Sequence, residues 1–435
     1  MNTDELAGQG FVAFEIASFA DTRRQLLYWA SQYSNCCFLD HAGYPLPAFG
    51  SAECLVAAGT LQQFECTGPA AIDGLKLFLQ QHQQQWVFGH LGYGLGAHLM
   101  GLPTQAPQAA GFTDTCFFIP DHLIVLGKEL LWVKSHSLTP QQIWEQIKRE
   151  PAIAPSQAST QLQPRLHQQA YLATLEQLRQ HIARGDCYEL NFCLEFAGHL
   201  MEACATQWFE KLSTLSPNPF SCFYRQNHSY LCCASPERYI KRQGSTLISQ
   251  PIKGTAARQV NNPLHDEASR LTLLQSAKDR SENVMVVDLV RNDLSQVCMP
   301  GSVRVKELFG VYTYPQVFQM ISTIEGQLKP EVDFVDIIKA SFPMGSMTGA
   351  PKKRVMELIS LYEPGPRGLF SGSVGYITPQ GNFDFNVVIR SLLYNGQTGH
   401  LSLFAGSGIT WYSQPQQEYE ECLLKAKAMM QVLEG

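Results

Sequence analysis

Long apolar runs, basic clusters and paired-cysteine motifs are all missing from this chain of 435 residues, and each absence removes a class of function. No stretch reaches the roughly 18 uninterrupted apolar residues of a membrane-spanning helix. The opening MNTDELAGQG is acidic and lacks the basic start and apolar run of a secretory signal, so a cytoplasmic protein is expected. A formal net charge of -6, with no sustained Lys/Arg cluster, argues against nucleic acid or an anionic membrane as partner and favours a small molecule. The 13 cysteines are odd in number, two pairs are adjacent (Cys36-Cys37 and Cys232-Cys233), and no C-x-x-C occurs, so they read as reduced packing residues. There is no P-loop, no H-E-x-x-H, no G-x-S-x-G and no G-x-C-x-G, which removes nucleotide hydrolysis and serine or cysteine hydrolysis.

What is present is a chain with a large apolar share, 45%, enough for one large or two to three ordinary domains. The segment REPAIAPSQASTQLQPR, residues 149–165, reads as a linker, dividing an N-terminal region, 1–155, from a C-terminal region, 165–435. Before it, runs such as WVFGHLGYGLG and HLIVLGKELLWV predict strands with some helix, and the Gly92, Gly94, Gly96 cluster reads as a flexible loop. After it, Tyr171, Leu175, Leu178 and Ile182 recur at helical spacing with Gly185 as terminator, predicting a helix over 168–184. In CYELNFCLEF, strict alternation puts Tyr188, Leu190, Phe192, Leu194 and Phe196 on one face of a strand and Glu189 and Asn191 on the other. SGSVGYIT, NFDFNVVIRSLLYN and HLSLFAGSGIT read as three consecutive strands, the last two joined at Asn395-Gly396. Helical stretches are expected over 263–295, 350–361 and 416–433, which makes the class α+β rather than alternating βαβ.

Three constellations can carry chemistry. Asp279 and Glu282 share one helix face, and Glu418, Glu421 and Lys425 share a face of another. Each alone is a solvated surface; if the faces meet, four carboxylates converge and call for a hard cation such as Mg²⁺. In FPMGSMTGAPKKRVMELI, small and hydroxyl residues precede a helix starting near Pro351, which is either an anion-binding helix terminus or an ordinary capped start. Arg390 is placed on the strand face of Asp384 and Asn386, as a carboxylate ligand or a paired surface arginine.

Seven motifs then fall in one order: SPERY (235–239), PIKGT (251–255), KDRSENVMVVDLVRNDL (278–294), PMGSMTGAPK (343–352), RGLFSGSVGY (367–376), AGSGI (405–409) and EYEECLLKAKAM (418–429). Together they resemble the chorismate-utilising enzymes, the family of anthranilate synthase component I and its aminodeoxychorismate-, isochorismate- and salicylate-forming relatives. The resemblance covers roughly residues 165–435 and implies two antiparallel sheets in a core sandwich wrapped by helices. It implies Mg²⁺ held by Glu282 and Glu421 with Asp279 and Glu418 beside them. Arg390, the Gly406 and Gly408 backbone and Lys425 are implied to contact substrate carboxylates, and Thr255 and Thr348 the ring or its hydroxyl.

The turn P-I-K-G-T resembles the aminodeoxychorismate-forming branch, where members resembling anthranilate synthase have P-I-A-G-T. Lys253 is thereby implied as a nucleophile and Glu237 as its acid/base partner. The expected reaction is amination of chorismate by ammonia to 4-amino-4-deoxychorismate, on the route to p-aminobenzoate and folate. Anthranilate formation and a non-catalytic chorismate-binding role are the alternatives. The ammonia would come from glutamine through a separate amidotransferase subunit, or from solution. Three positions depart from the family pattern: Glu189 where Gln is common, Gln319 where His is usual, and Phe370 for a frequent Tyr. No L-L-E-S stretch associated with tryptophan feedback occurs.

Overall fold

Strand Glu189–His199 shows how sequence alternation builds this molecule. Leu190, Phe192, Leu194 and Phe196 enter one apolar core while Cys193 enters another, so the strand separates two cores. The first core lies between two sheets and takes Leu39, Phe88, Phe117, Tyr224, Phe385 and Phe404. The second, with Trp29, Ile147, Tyr171, Leu178, Phe209 and Met429, lies between one sheet and the helices covering it. The computed structural model describes residues 3–44, 52–104, 106, 108–150 and 160–434. Among these, strands form a 12-stranded and a 10-stranded sheet. Neighbouring strands are antiparallel throughout, for example Leu190↔Ile409 and Cys193↔Gly406, so the expected α+β sandwich is present.

The linker divides the sequence but not the sheets. Strand Asn35–Asp40 pairs with Phe220–Gln226, Phe38 opposite Phe223, and strand Val87–Leu91 pairs with Ser373–Ile377, Gly89 opposite Gly375. The two regions share both layers and the core between them. Residues 151–159 of the expected linker lie outside the described residues. No helix of the described residues is long and apolar enough to cross a membrane. All 13 cysteines are free, and all but Cys66 and Cys204 are buried, as packing residues should be.

Several elements differ from expectation. The glycine cluster is not a loop: Gly94–Leu99 is a short helix. A Cβ on Gly96 would stand 2.3 Å from the Pro343 ring, so the glycine lets this helix press against the segment that carries Ser346 and Thr348. Tyr188 precedes the strand and is 72% exposed rather than in the core. The stretch 263–295 is two helices, Pro263–Gln275 and Ala277–Val297, broken at Ser276, whose hydroxyl caps the second by accepting from the Asp279 amide at 3.2 Å. Most consequentially, NFDFNVVIRSLLYN is two strands in different sheets, Phe383–Asn386 and Ser391–Asn395. Arg390 therefore lies on no strand face; it sits in the crossover with φ +52°. The Asp384 carboxylate is committed to Arg238 at 2.9 Å.

Candidate active site

Two places where the chain passes between the sheets lie side by side, and each carries a predicted site residue. Pro236 and Glu237 link strand Ser229–Ser235 of the larger sheet to Arg238–Gln243 of the smaller. Residues 387–390 make the return from Phe383–Asn386 to Ser391–Asn395. They are stitched together by backbone bonds, Val387 N–H to Glu237 O at 3.0 Å and Ala234 N–H to Arg390 O at 3.0 Å. A third irregularity brings in Lys253: strand Ile252–Ala257 shifts register against Val317–Gln327 between Ile252 and Thr255, with Gly254 at φ +101°. Such a bulge re-aims the side chain beside it.

Lys253 points inward, its side chain 10% exposed, and its Nζ donates to Glu189 Oε1 at 2.5 Å. Gly408, opposite Asn191 on the neighbouring strand, makes room for this pair, because a Cβ there would stand 2.7 Å from Glu189 Oε1 and 2.8 Å from Lys253 Nζ. Burial opposes the ammonium charge, yet Glu189, Glu282 and Glu237 together outweigh it and hold Lys253 above the usual lysine value. Glu237 is buried at 4% exposure, and burial lifts its carboxyl to about 7 against the opposing pull of Ser346, the Ile252 backbone, Lys253 and Lys425. A carboxylic acid so poised exchanges protons near neutrality.

The two acidic helix faces do meet. Lys278 joins them, with Nζ 3.0 Å from Glu418 Oε1 and 3.9 Å from Glu282 Oε1. Glu282 Oε1 and Glu418 Oε2 are buried without a hydrogen-bond partner, and burial raises the Glu282 carboxyl to about 7. Of the other two, Glu421 is held by Lys425 at 2.6 Å, and Asp279 packs beside Gly254, whose Cβ would stand 3.1 Å from Asp279 Oδ1. Burial opposes the Glu421 charge, but Lys425, Lys278 and Lys253 keep its value below the ordinary one. Among the described residues no three His, Cys, Asp or Glu side chains are drawn together as a ready ligand set. Two buried carboxylates with orphaned oxygens nevertheless suit in kind a hard cation that keeps much of its water.

The remaining predicted residues are distributed as follows. Arg390 is partly buried and makes no side-chain hydrogen bond or ion pair among the described residues; burial lowers its guanidinium value, and Glu421 is the one opposing influence. Thr348 is fully buried, but its hydroxyl donates to Met344 O at 3.0 Å, so it braces its own loop. Thr255 is exposed, paired with Gln319 across the sheet. Gln319 is 2% exposed, and its Oε1 has no partner. The Gly406 carbonyl accepts from Lys425 Nζ at 2.9 Å. Phe370 stacks on Phe404 with ring centroids 4.9 Å apart.

Sequence reading missed three supporting residues. Lys278 was hidden as an ordinary partner of Glu282 at i, i+4. Asn283 accepts from Ser322 Oγ at 2.6 Å and ties its helix to the strand beneath. Arg367, fully buried, binds Glu363 at 2.6 Å, the Met347 and Asn191 carbonyls each at 2.7 Å, and Ser371 at 3.2 Å, locking the loop of Ser346 and Thr348 to the strand of Glu189.

The chain belongs to the chorismate binding enzyme family, whose model matches residues 34–431. It is 33% identical to aminodeoxychorismate synthase component 1 of Klebsiella aerogenes, over 86% of each chain. It is 34% identical to the probable chloroplastic aminodeoxychorismate synthase of Oryza sativa subsp. japonica over 80% of its own length, spanning 43% of that longer protein. Among solved structures it superposes on anthranilate synthase component I from Streptococcus pneumoniae with a TM-score of 0.74 at 23% identity, covering 86% of this chain and 91% of that one, a likeness of fold.

Proposed function

We propose that the chain converts chorismate and ammonia into 4-amino-4-deoxychorismate through a covalent bond between Lys253 and the substrate. The observation that carries this reading is the inward-pointing Lys253 of the P-I-K-G-T turn, hydrogen-bonded to Glu189 and within electrostatic reach of Glu282 and Glu237. Its ammonium is held above the usual lysine value at rest, so it attacks only once a neighbouring base has taken a proton.

The uncharged Nζ attacks C2 of the ring. The two ring double bonds shift, C1=C2 to C6=C1 and C5=C6 to C4=C5, and the C4 oxygen leaves as water with a proton from Glu237. Ammonia then attacks C4, the double bonds shift back, and the lysine amine departs from C2. Glu237 recovers its proton from the new C4 ammonium, so chorismate and ammonia become product and water. Glu237 near 7 suits both donating and accepting. Arg390, which makes no side-chain hydrogen bond or ion pair among the described residues, takes a substrate carboxylate.

Glu282 and Glu418 are the residues that would hold Mg²⁺; Glu421, expected as the second ligand, is engaged by Lys425 and adjoins them with Asp279, and Lys278 would yield its place between them. When bound, that ion offsets the negative charge of the substrate carboxylate. Ammonia comes from a glutamine amidotransferase subunit or from solution; these 435 residues carry no G-x-C-x-G nucleophile.

Incubation with chorismate, Mg²⁺ and ammonium tests the reading. Aminodeoxychorismate is the expected product. Fluorescent anthranilate would overturn it, and no turnover at all would support a non-catalytic chorismate-binding role.

A further inference from the structure

We propose that Glu189 is the proton acceptor for Lys253, taking the ammonium proton through Oε1 as the amine attacks and returning it when the amine is released. This rests on the covalent-lysine reading above. Among the described residues Glu189 Oε1 is the one hydrogen-bond partner of Lys253 Nζ, at 2.5 Å, so a proton crosses between them without an intervening group. Glu237 and Glu282 lie within electrostatic reach of the lysine but make no hydrogen bond to it. The second oxygen, Glu189 Oε2, is buried and has no partner. A carboxylate kept merely to brace a lysine gains nothing from an unsatisfied buried oxygen, whereas a carboxylate that must become a neutral acid tolerates it well.

The setting favours transfer inside the pair over transfer to water. Glu189 is 2% exposed and opens strand Glu189–His199, flanked by Gly349–Ala350 and by the Gly406 to Gly408 stretch of His400–Ile409. At this end neither neighbour contributes a charged side chain, and the missing Cβ of Gly408 is what admits the pair. The other charged groups come from farther elements: Glu237 from the sheet crossover, Lys278, Asp279 and Glu282 from helix Ala277–Val297, Glu421 and Lys425 from helix Pro415–Leu433, and Arg390.

The proton count closes with this assignment. At rest the lysine is an ammonium, Glu189 a carboxylate and Glu237 an acid. The Nζ proton passes to Glu189, the Nζ lone pair forms the bond to C2, and the C4 oxygen leaves as water with the Glu237 proton. When ammonia displaces the lysine, Nζ departs as a neutral amine and recovers its proton from Glu189, while Glu237 takes one from the C4 ammonium. No outside acid or base is needed.

The experiment is the rate of adduct formation on the Lys253 peptide, read by mass spectrometry after mixing the full chain with chorismate and Mg²⁺ but no ammonia, from mildly acidic to alkaline pH. The wild-type rate should fall above neutrality as Glu237 loses the proton it must donate. Glu189→Gln should be about 100-fold slower than wild type at neutral pH, and its ratio to wild type should recover by about tenfold per pH unit as the pH rises, because its lysine must lose the proton to solvent. Glu189→Asp, which keeps a carboxylate, should recover the wild-type profile at a reduced rate and serves as the second variant if the glutamine chain misfolds. A Glu189→Gln rate equal to wild type, or lowered by one constant factor at every pH, would mean the residue only positions the lysine and overturns the proposal. Product formation by wild type with no adduct at any pH would instead refute the covalent reading on which it stands.

Discussion

Arg367 and Lys253 are both buried cations held by a glutamate, and they stand close together along one strand, since Arg367 binds the carbonyl of Asn191 and Lys253 the carboxylate of Glu189. Their surroundings end differently. Around Arg367 every donor is taken, by Glu363, Met347 O, Asn191 O and Ser371, and the guanidinium lies 4.6 Å from the centroid of the Tyr93 ring. Around Lys253 and the acidic helices the protein leaves Glu189 Oε2, Glu282 Oε1 and Glu418 Oε2 buried without partners, and Arg390, within electrostatic reach of Glu421, makes no side-chain bond among the described residues. Native interiors seldom leave such groups orphaned, since each costs about 1–3 kcal/mol. A complete network holds the fold, and an incomplete one awaits a ligand.

The sharpest way to break that comparison is to remove each cation in turn. Arg367→Met strands Glu363 in the interior and cuts the tie between the Ser346 loop and strand Glu189–His199. It should cost about 3–5 kcal/mol of stability, read by urea unfolding. Lys253→Met should leave a folded protein, because Lys253 holds Glu189 alone where Arg367 ties four groups together, and should lower turnover by more than about 1,000-fold. Lys253→Arg should fail as badly, since arginine keeps the charge but cannot become a neutral nucleophile. A folded, active Arg367→Met chain or an active Lys253→Arg chain would dissolve the distinction.

An effect of intermediate size is expected from the acidic helices. Burial raises the Glu282 carboxyl to about 7, so between the ordinary carboxylate value and that point the folded state binds more protons than the unfolded one. Stability without metal should therefore fall as pH rises across that window, by on the order of 1–2 kcal/mol. Glu237 contributes with the same sign. Glu282→Gln should flatten the dependence in part and melt higher than wild type above neutrality. Millimolar Mg²⁺ should raise the melting temperature of wild type at alkaline pH and leave Glu282→Gln and Glu418→Gln unmoved. An equal rise in all three would remove these residues from the metal site.

Why the two networks differed in legibility is visible in the residues. Much of the incomplete network could be read from the sequence because the family resemblance gives roles to residues of SPERY, PIKGT and the two acidic helices. The complete one could not: Arg367 opens the RGLFSGSVGY motif without an implied role, Glu363-Pro-Gly-Pro-Arg367 has the composition of an exposed turn, and nothing local says that both charges are buried. Periodicity likewise located the helix Gln168–Ala183 and the strand Glu189–His199. It ran straight through the sheet crossover, because Val387 and Val388 stay buried and continue the apolar pattern of Phe383 and Phe385. Alternation reports burial, and burial does not change when a chain passes from one sheet to its neighbour across a shared core.

The smallest expected effect, and the finest test of the comparison, concerns Arg390. Its backbone is held, the carbonyl accepting from Ala234 N–H at 3.0 Å, while its side chain contributes no bond to the fold. A residue at φ +52° in a non-glycine position is strained unless its surroundings fix it, and here that strain puts a guanidinium where burial lowers its value with Glu421 as its one carboxylate influence. Arg390→Gln should therefore change stability by less than about 1 kcal/mol, in contrast to Arg367→Met, because no protein partner is stranded. Chorismate binding should weaken by about 1.5–3 kcal/mol, the worth of a charge-assisted pair, or roughly 10- to 100-fold in KM. Denaturant unfolding and substrate titration of the same preparation separate the two outcomes. A large loss of stability with KM unchanged would make Arg390 a second Arg367, a structural cation, and would leave the substrate carboxylate without its assigned partner.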